Sequence, residues 1–303
     1  MNPLNRARSG RSGFLLREGL TLREAFAEAS SFLRERGVEE ADENTRLLLK
    51  EILGMSGAEY VMALRDPFPY EHADAERWEN AITRKGDGEP AQYILGDQEF
   101  YGFIFEVTPD VLIPRPETEL LVEAVLGHAK TLWPEGNASV LDVGTGSGAI
   151  AVSLKLLRPE LEVTASDISP GALGVAQRNA QRLGAEVTFG EGSLLEPFAG
   201  RSFDILVSNP PYIPAADIEE LQPEVRDFEP RGALDGGPDG LWPYREIMKQ
   251  LNLLQHDPKL IAFELGMGQA DAVAEMLRER GSWSTVETVF DLAGIGRHVI
   301  GIA

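Results

Sequence analysis

Residues 139–150 read S-V-L-D-V-G-T-G-S-G-A-I: an apolar run, a loop with Gly144, Gly146 and Gly148, then the start of a helix-forming stretch. No other feature limits the fold so tightly. A strand that turns through glycines into a helix sends the chain back over the sheet, so the next strand lies parallel to the first. The pattern downstream repeats that unit. Strands are expected at Ser139–Val143, Glu162–Ser166, Glu186–Phe189, Asp204–Ser208, Leu260–Leu265, Val286–Asp291 and Arg297–Ile302. Helices are expected near Gly148–Leu157, Pro170–Leu183, Leu241–Leu254 and Gly268–Arg280. Only Leu292 to Gly296 separate the last two strands. That is too short for a parallel crossover, so those two should pair antiparallel. The expected fold class is α/β, a doubly wound, mostly parallel, seven-stranded, Rossmann-like sheet.

The first 85 or so residues have a different period. Thr21 with Glu24 forms a capping box, and Leu22, Ala25, Phe26, Ala29 and Leu33 follow at helical spacing until Gly37. Further helices are expected over about Glu40–Leu53, from near Glu59 to the break at Pro67 and Pro69, and over about Tyr70–Lys85. Residues 91–113 then hold the strand formers Tyr93, Ile94, Phe100, Tyr101, Phe103, Ile104, Phe105 and Val107 around Gly96 and Gly102, which reads as a β-hairpin. Pro114, Arg115 and Pro116 end it and open a helix, Pro116 suiting the first turn. The expected division is a small all-α domain over 1–90 used for substrate recognition, a linking hairpin over 91–113 and the sheet domain over 114–303. Met1 to Gly13 is expected to be a disordered tail.

Composition excludes several functions. With no cysteine there is no disulfide, iron–sulfur cluster, thiolate zinc site or cysteine nucleophile. The histidines His72, His128, His256 and His298 are scattered without metal-ligand spacing and are expected to be structural or solvated; no metal site is expected. Trp78, Trp133, Trp242 and Trp283 are expected to pack. A net charge of −21 opposes binding to phosphate backbones and anionic membranes. No run approaches the 18 apolar residues of a membrane span, and the N-terminus lacks the apolar core of a signal peptide, so a cytoplasmic location is expected. A monomer is the separate expectation for its assembly.

The loop itself points to a ligand. Glycines admit close backbone approach, and the following helix presents free N–H groups. Asp167 ends the next strand, where an acid can bind the two hydroxyls of a ribose. The spacing is G-x-G-x-G, not the G-x-G-x-x-G of a dinucleotide site. Asp142, just before the loop, opposes a pyrophosphate and suits a cationic ligand. Together they favour S-adenosylmethionine over NAD, although glycines alone also make plain tight turns.

A second motif ends another strand: Asn209-Pro210-Pro211-Tyr212. The prolines stiffen the turn and remove two donors. The Asn209 carboxamide oxygen and the Pro210 carbonyl then act as acceptors, and Tyr212 offers a face for stacking. Two acceptors beside an aromatic ring suit a planar NH2 conjugated to a π system. The alternative is a proline turn that merely caps a strand.

Loop, acid and turn together resemble the class I S-adenosylmethionine-dependent methyltransferases that act on amino groups. Three segments narrow this: L-I-P-R-P-E-T-E at 112–119, Q-Y-I-L-G at 92–96 upstream of Phe100, and Phe228-Glu229-Pro230-Arg231 followed by Ala233, Leu234, Gly237, Asp239, Gly240 and Leu241. Over residues 20–303 the chain resembles the peptide chain release factor glutamine N5-methyltransferase family. The resemblance implies methyl transfer to the side-chain amide of the glutamine in the Gly-Gly-Gln motif of class I release factors, with S-adenosyl-L-homocysteine as product. It also implies that Gly144, Thr145, Gly146, Ser147, Gly148 and Asp167 bind the cofactor together with Asp142, and that Ser193 and Leu194 lie near the adenine. Asn209, Pro210, Pro211 and Tyr212 would hold the amide, Asn209 also bordering the cofactor, while Arg115 and Glu117 help close the site. Many relatives carry an acid where this chain has Ser193, a weaker acceptor. The competing expectation is an adenine-N6 methyltransferase acting on DNA or RNA, which shares the turn but not the acidity.

Overall fold

The computed structural model describes residues 13–69, 72–291 and 293–303, without the side chains of 72 and 73. Along the chain run α1 (Leu22–Glu35), α2 (Ala41–Leu53), α3 (Gly57–Ala63), α4 (His72–Gly86), α5 (Ala91–Leu95), β1 (Asp97–Phe100), β2 (Phe103–Glu106), α6 (Pro116–Leu132), β3 (Ser139–Val143) and α7 (Ala149–Leu157). Then follow β4 (Glu162–Asp167), α8 (Pro170–Leu183), β5 (Val187–Glu191), β6 (Ile205–Ser208), α9 (Pro223–Phe228), α10 (Trp242–Gln250), β7 (Leu260–Glu264), α11 (Ala270–Arg280), β8 (Thr285–Phe290) and β9 (Gly296–Ile302). The expected tail, Met1 to Gly13, lies outside the described residues except for Gly13, as does the expected helix start at Tyr70.

Two compact units result, one of residues 1–96 with 223–228 and one of 97–222 with 229–303. In the smaller, the Thr21–Glu24 capping box starts α1, and Leu22, Ala25, Ala29 and Leu33 bury against Leu48, Leu49, Trp78 and Ile82. A second capping box, Ser56 with Glu59, starts α3 two residues before the expected point. The segment 91–95 is a correction. Tyr93 and Ile94 read as strand formers, yet Pro90 caps a helical turn that Gly96 ends at φ 89°, and Ala91 and Tyr93 are buried. Packing overrides β propensity there. Helix α9 comes from far along the chain, and its Glu224 accepts from Lys85 Nζ at 2.5 Å. Burial lowers the Lys85 pKa, and the Glu224 carboxylate partly restores it.

The larger unit holds a seven-stranded sheet in the order β5-β4-β3-β6-β7-β9-β8. Its strands pair parallel from β5 to β7, and β9 is antiparallel to both β7 and β8. Strand alternation divides the core. On one face Val140, Ile205, Val207, Leu260 and Ala262 meet Leu121 and Val122 of α6 and Ala151 of α7. On the other, Leu141, Leu206, Ile261 and Phe263 meet Ile247 of α10 and Leu277 of α11. The hairpin is β1 against β2 only, burying Phe100 and Phe105. Trp242 departs from its expected packing role and is 50% exposed, whereas Trp78 and Trp283 are buried.

Strand order reverses between β3 and β6, which pair directly. A crevice at the carboxyl ends of strands forms at such a switch point. The glycine loop leaves β3 and the Asn-Pro-Pro-Tyr turn leaves β6, so motifs far apart in sequence flank one crevice.

Candidate active site

The glycine loop is tied to its neighbouring strand. The N–H groups of Gly144 and Thr145 both donate to the Ser166 carbonyl at 2.8 Å. Gly144, Gly146 and Gly148 have φ of 72°, 55° and 84°. At Gly146 that conformation is what frees its N–H to donate to Asp167 Oδ2 at 2.9 Å; a side chain there is strained. Asp167 Oδ1 accepts from Ser169 N at 2.9 Å, so each oxygen keeps a lone pair for a further donor. Burial raises the Asp167 pKa, opposed by those backbone donors.

Asp142 lies fully buried beneath the loop rather than at its mouth. Its Oδ2 accepts from Thr145 Oγ1 at 2.6 Å and Ala151 N at 3.2 Å, while its Oδ1 has no partner among the described residues. Desolvation pushes its pKa up to about 7 against the pull of Thr145 and Ala151. Its carboxylate therefore shapes the loop and is only partly ionised near neutrality, a weaker negative charge than the sequence suggests. Ser147 is buried, its carbonyl accepting from Asn179 Nδ2 at 2.9 Å.

Ser193 and Leu194 follow β5, both half-buried. Leu194 has φ 51°, and the next residue, Leu195, donates its N–H to Gln250 Oε1 at 2.9 Å. Ile168, which the sequence reading passed over, directly follows Asp167 and is 70% exposed. The available signal was its place in the sequence, directly after the acid that ends β4.

The Asn-Pro-Pro-Tyr turn is held by remote side chains. Asn209 Nδ2 donates to Thr118 Oγ1 on α6 at 3.2 Å, which turns the carboxamide so that its oxygen remains an acceptor. Thr118 is the threonine of the Pro-Arg-Pro-Glu-Thr-Glu run and is buried. Gln269 Nε2 donates to the Tyr212 carbonyl at 2.9 Å and the Gly240 carbonyl at 3.3 Å, and its Oε1 accepts from Gly266 N at 2.9 Å. One amide thus joins three loops. Gly240 allows this approach, since a Cβ there would lie 2.3 Å from the Tyr212 oxygen. Ser208 Oγ, at the end of β6, donates to the Val143 carbonyl at 2.6 Å, linking the turn to the glycine loop. The sequence reading placed Thr118 within the 112–119 run without giving it a role, and it passed over Ser208 and Gln269 as site residues because their partners lie far along the chain.

Pro210 is buried, and Pro211 and Tyr212 are half-buried. Desolvation pushes the Tyr212 hydroxyl up to about 12, with the Glu264 carboxylate adding to it and Arg115 opposing. Arg115 pairs with buried Glu229, which also accepts from Ile113 N at 3.4 Å. Glu117, on the first turn of α6, is exposed. Among the described residues, no cluster of His, Asp or Glu could hold a metal ion, and no helix is long and apolar enough to cross a membrane.

The chain is similar to known proteins over most of its length. The PrmC N-terminal domain family matches residues 24–96, and the Methyltransferase small domain family matches residues 117–222. The release factor glutamine methyltransferase of Geobacter sulfurreducens is 46% identical over 281 residues, 93% of this chain and 96% of that protein. That of Bacillus subtilis is 41% identical over 285 residues, 93% of this chain and 98% of that protein. Among solved structures, the hMettl16 catalytic domain in complex with MAT2A 3'UTR hairpin 6 superposes with a TM-score of 0.51 at 16% identity, over 76% of this chain and 81% of that one. That likeness shows the fold alone.

Proposed function

The chain belongs to the release factor glutamine methyltransferase family, and on that premise we propose that it methylates the side-chain amide nitrogen of the glutamine in the Gly-Gly-Gln motif of class I release factors. Its fold is that of class I methyltransferases, and S-adenosylmethionine is the methyl donor. The observation that carries the reading is the pairing of β3 with β6, which sets a glycine cradle beside an amide clamp whose carboxamide oxygen is already oriented.

The residues present fit the cofactor. A Cβ on Gly144 or Gly146 would meet no atom within 4 Å, so the loop leaves open space where a ligand would lie. Gly144 to Gly148 would hold its amino-acid end, Asp167 its ribose, and Ile168, Ser193 and Leu194 its adenine. When bound, S-adenosylmethionine supplies an electrophilic methyl group: the C–S pair stays on sulfur and the amide nitrogen's pair forms the N–C bond. Asn209 Oδ1 and the Pro210 carbonyl accept the two amide protons, fixing the nitrogen in line and raising its electron density. Tyr212 stays protonated at neutral pH and offers its ring to the planar amide. Arg115, held by Glu229, and exposed Glu117 border the entrance.

Mass spectrometry of the Gly-Gly-Gln tryptic peptide after incubation with S-adenosylmethionine tests the reading. One added methyl group on glutamine is expected; equal label on a release factor with that glutamine replaced by alanine would refute it. The helical unit serves as the docking domain for the release factor, and the enzyme works as a cytoplasmic monomer without stable nucleic-acid binding. Met62 of α3, 82% exposed, is an apolar contact available for docking. Met62→Glu is expected to raise KM for the whole release factor about 5-fold and leave KM for a loop peptide unchanged, comparable with a moderate interface residue. Equal effects on both would count against docking.

A further inference from the structure

The clamp leaves one proton unaccounted for. Methylation makes the amide nitrogen cationic, and one N–H proton must depart before the product regains its conjugation. Neither a carboxamide oxygen nor a peptide carbonyl is basic enough to keep it. Glu264 ends β7 and is 2% exposed, and its Oε2 has no hydrogen-bond partner among the described residues. Withdrawing a carboxylate oxygen from water without a hydrogen bond is costly, so its place in the fold calls for a compensating role.

Strand parity shows where Glu264 lies. Ser208 of β6 is in register with Phe263 of parallel β7. Val207 and Ala262 face the core under α6, while Leu206 and Phe263 face the other side. Alternation therefore puts Asn209 and Glu264, each one residue further on, at the same level and on the α6 face. The bond from Asn209 to Thr118 of α6 agrees. The Glu264 carboxylate also contributes to the upward shift of the Tyr212 hydroxyl, so it lies within electrostatic reach of the clamp. Across the ladder it pairs with His298 of β9, whose Nε2 is 3.8 Å from Oε2. Both ring nitrogens of His298 are buried and without hydrogen-bond partners among the described residues.

We propose that the Glu264 carboxylate accepts the proton released by the substrate amide, with His298 behind it as the next site on the proton's way out. The proposal rests on the amide-methylating reading above. In this step the N–H bond breaks, its electron pair returns to nitrogen and to conjugation with the amide carbonyl, and an O–H bond forms on Glu264. Tyr244 supports the strand end by donating its hydroxyl to the Glu264 backbone carbonyl at 2.8 Å.

The test compares wild type, E264Q, E264D and E264A in single turnover on a Gly-Gly-Gln peptide. Calorimetric affinities for that peptide and for S-adenosylhomocysteine serve as readouts independent of turnover. E264Q is expected to lose on the order of 10²-fold in rate with both affinities within about 3-fold of wild type. E264D, which keeps the carboxylate one methylene back, should lose about 10-fold, and formate should restore part of the E264A rate. E264Q as fast as wild type overturns the proposal alone, as does a rate loss in every variant that follows weakened binding and is not restored by formate. Should E264Q fail to fold, E264D and formate-treated E264A decide by the same criteria. A wild type that leaves the glutamine unmethylated overturns the functional reading, and this proposal with it.

Discussion

The glycine loop and the Asn-Pro-Pro-Tyr turn leave adjacent strands of one sheet, yet they are held in opposite ways. The loop is held chiefly by Asp142, Ser166 and Asp167, all within one β-loop-α-β unit, with Asn179 of α8 and Ser208 of β6 adding one bond each. The turn is held by Thr118, 91 residues before Asn209, and by Gln269, 57 residues after Tyr212. A locally closed loop is rigid wherever its own βα unit folds. A turn fixed from a distance is positioned only when the whole sheet has assembled, so its geometry depends on loops that touch no ligand.

The sharpest way to break this contrast is Asn209→Ala. Turnover should fall at least on the order of 10²-fold while S-adenosylhomocysteine affinity stays near wild type by calorimetry. Unchanged turnover would remove Asn209 from the mechanism. Gln269→Ala comes next. It releases two carbonyls and one N–H, and is expected to cost about 2 kcal/mol in urea unfolding and about 10-fold in turnover, again with little change in cofactor affinity. Thr118→Val should lower turnover by about 5-fold, because the carboxamide loses the partner that orients it, and Thr118→Ser should restore it. A Val variant as fast as the Ser variant would show that the turn orients Asn209 by itself.

The loop responds to pH instead. The Asp142 pKa is raised by burial to about 7, so the folded protein holds a proton that the unfolded chain has lost above about pH 4. The stability this contributes is fully present below about pH 4 and is lost as pH rises through about 7. Because burial raises Asp167 in the same direction, the difference between wild type and Asp142→Asn isolates the effect. Urea unfolding at about pH 5 and about pH 8 should show wild type losing more stability between the two than the Asn variant. Parallel losses would place the titration elsewhere.

Much of the fold was legible because its signals are local. Periodicity located all seven strands of the sheet, and the short span from Leu292 to Gly296 required the antiparallel end pair. Tyr93 and Ile94 misled for the opposite reason: their preference is weak, and Pro90 together with burial against the helical core outweighed it. Likewise nothing near residue 223 shows that α9 belongs with helices formed more than a hundred residues earlier.

By itself the sequence determined the βα alternation and placed the glycine loop and the Asn-Pro-Pro-Tyr turn at strand ends, since each is written in a short run of neighbouring residues. Only the tertiary structure decided that Thr118 orients Asn209, that Gln269 joins three loops, and that a buried Glu264 shares a face with the clamp. Those pairings follow from strand order and side-chain parity across the sheet, which long-range hydrogen bonding and packing settle together.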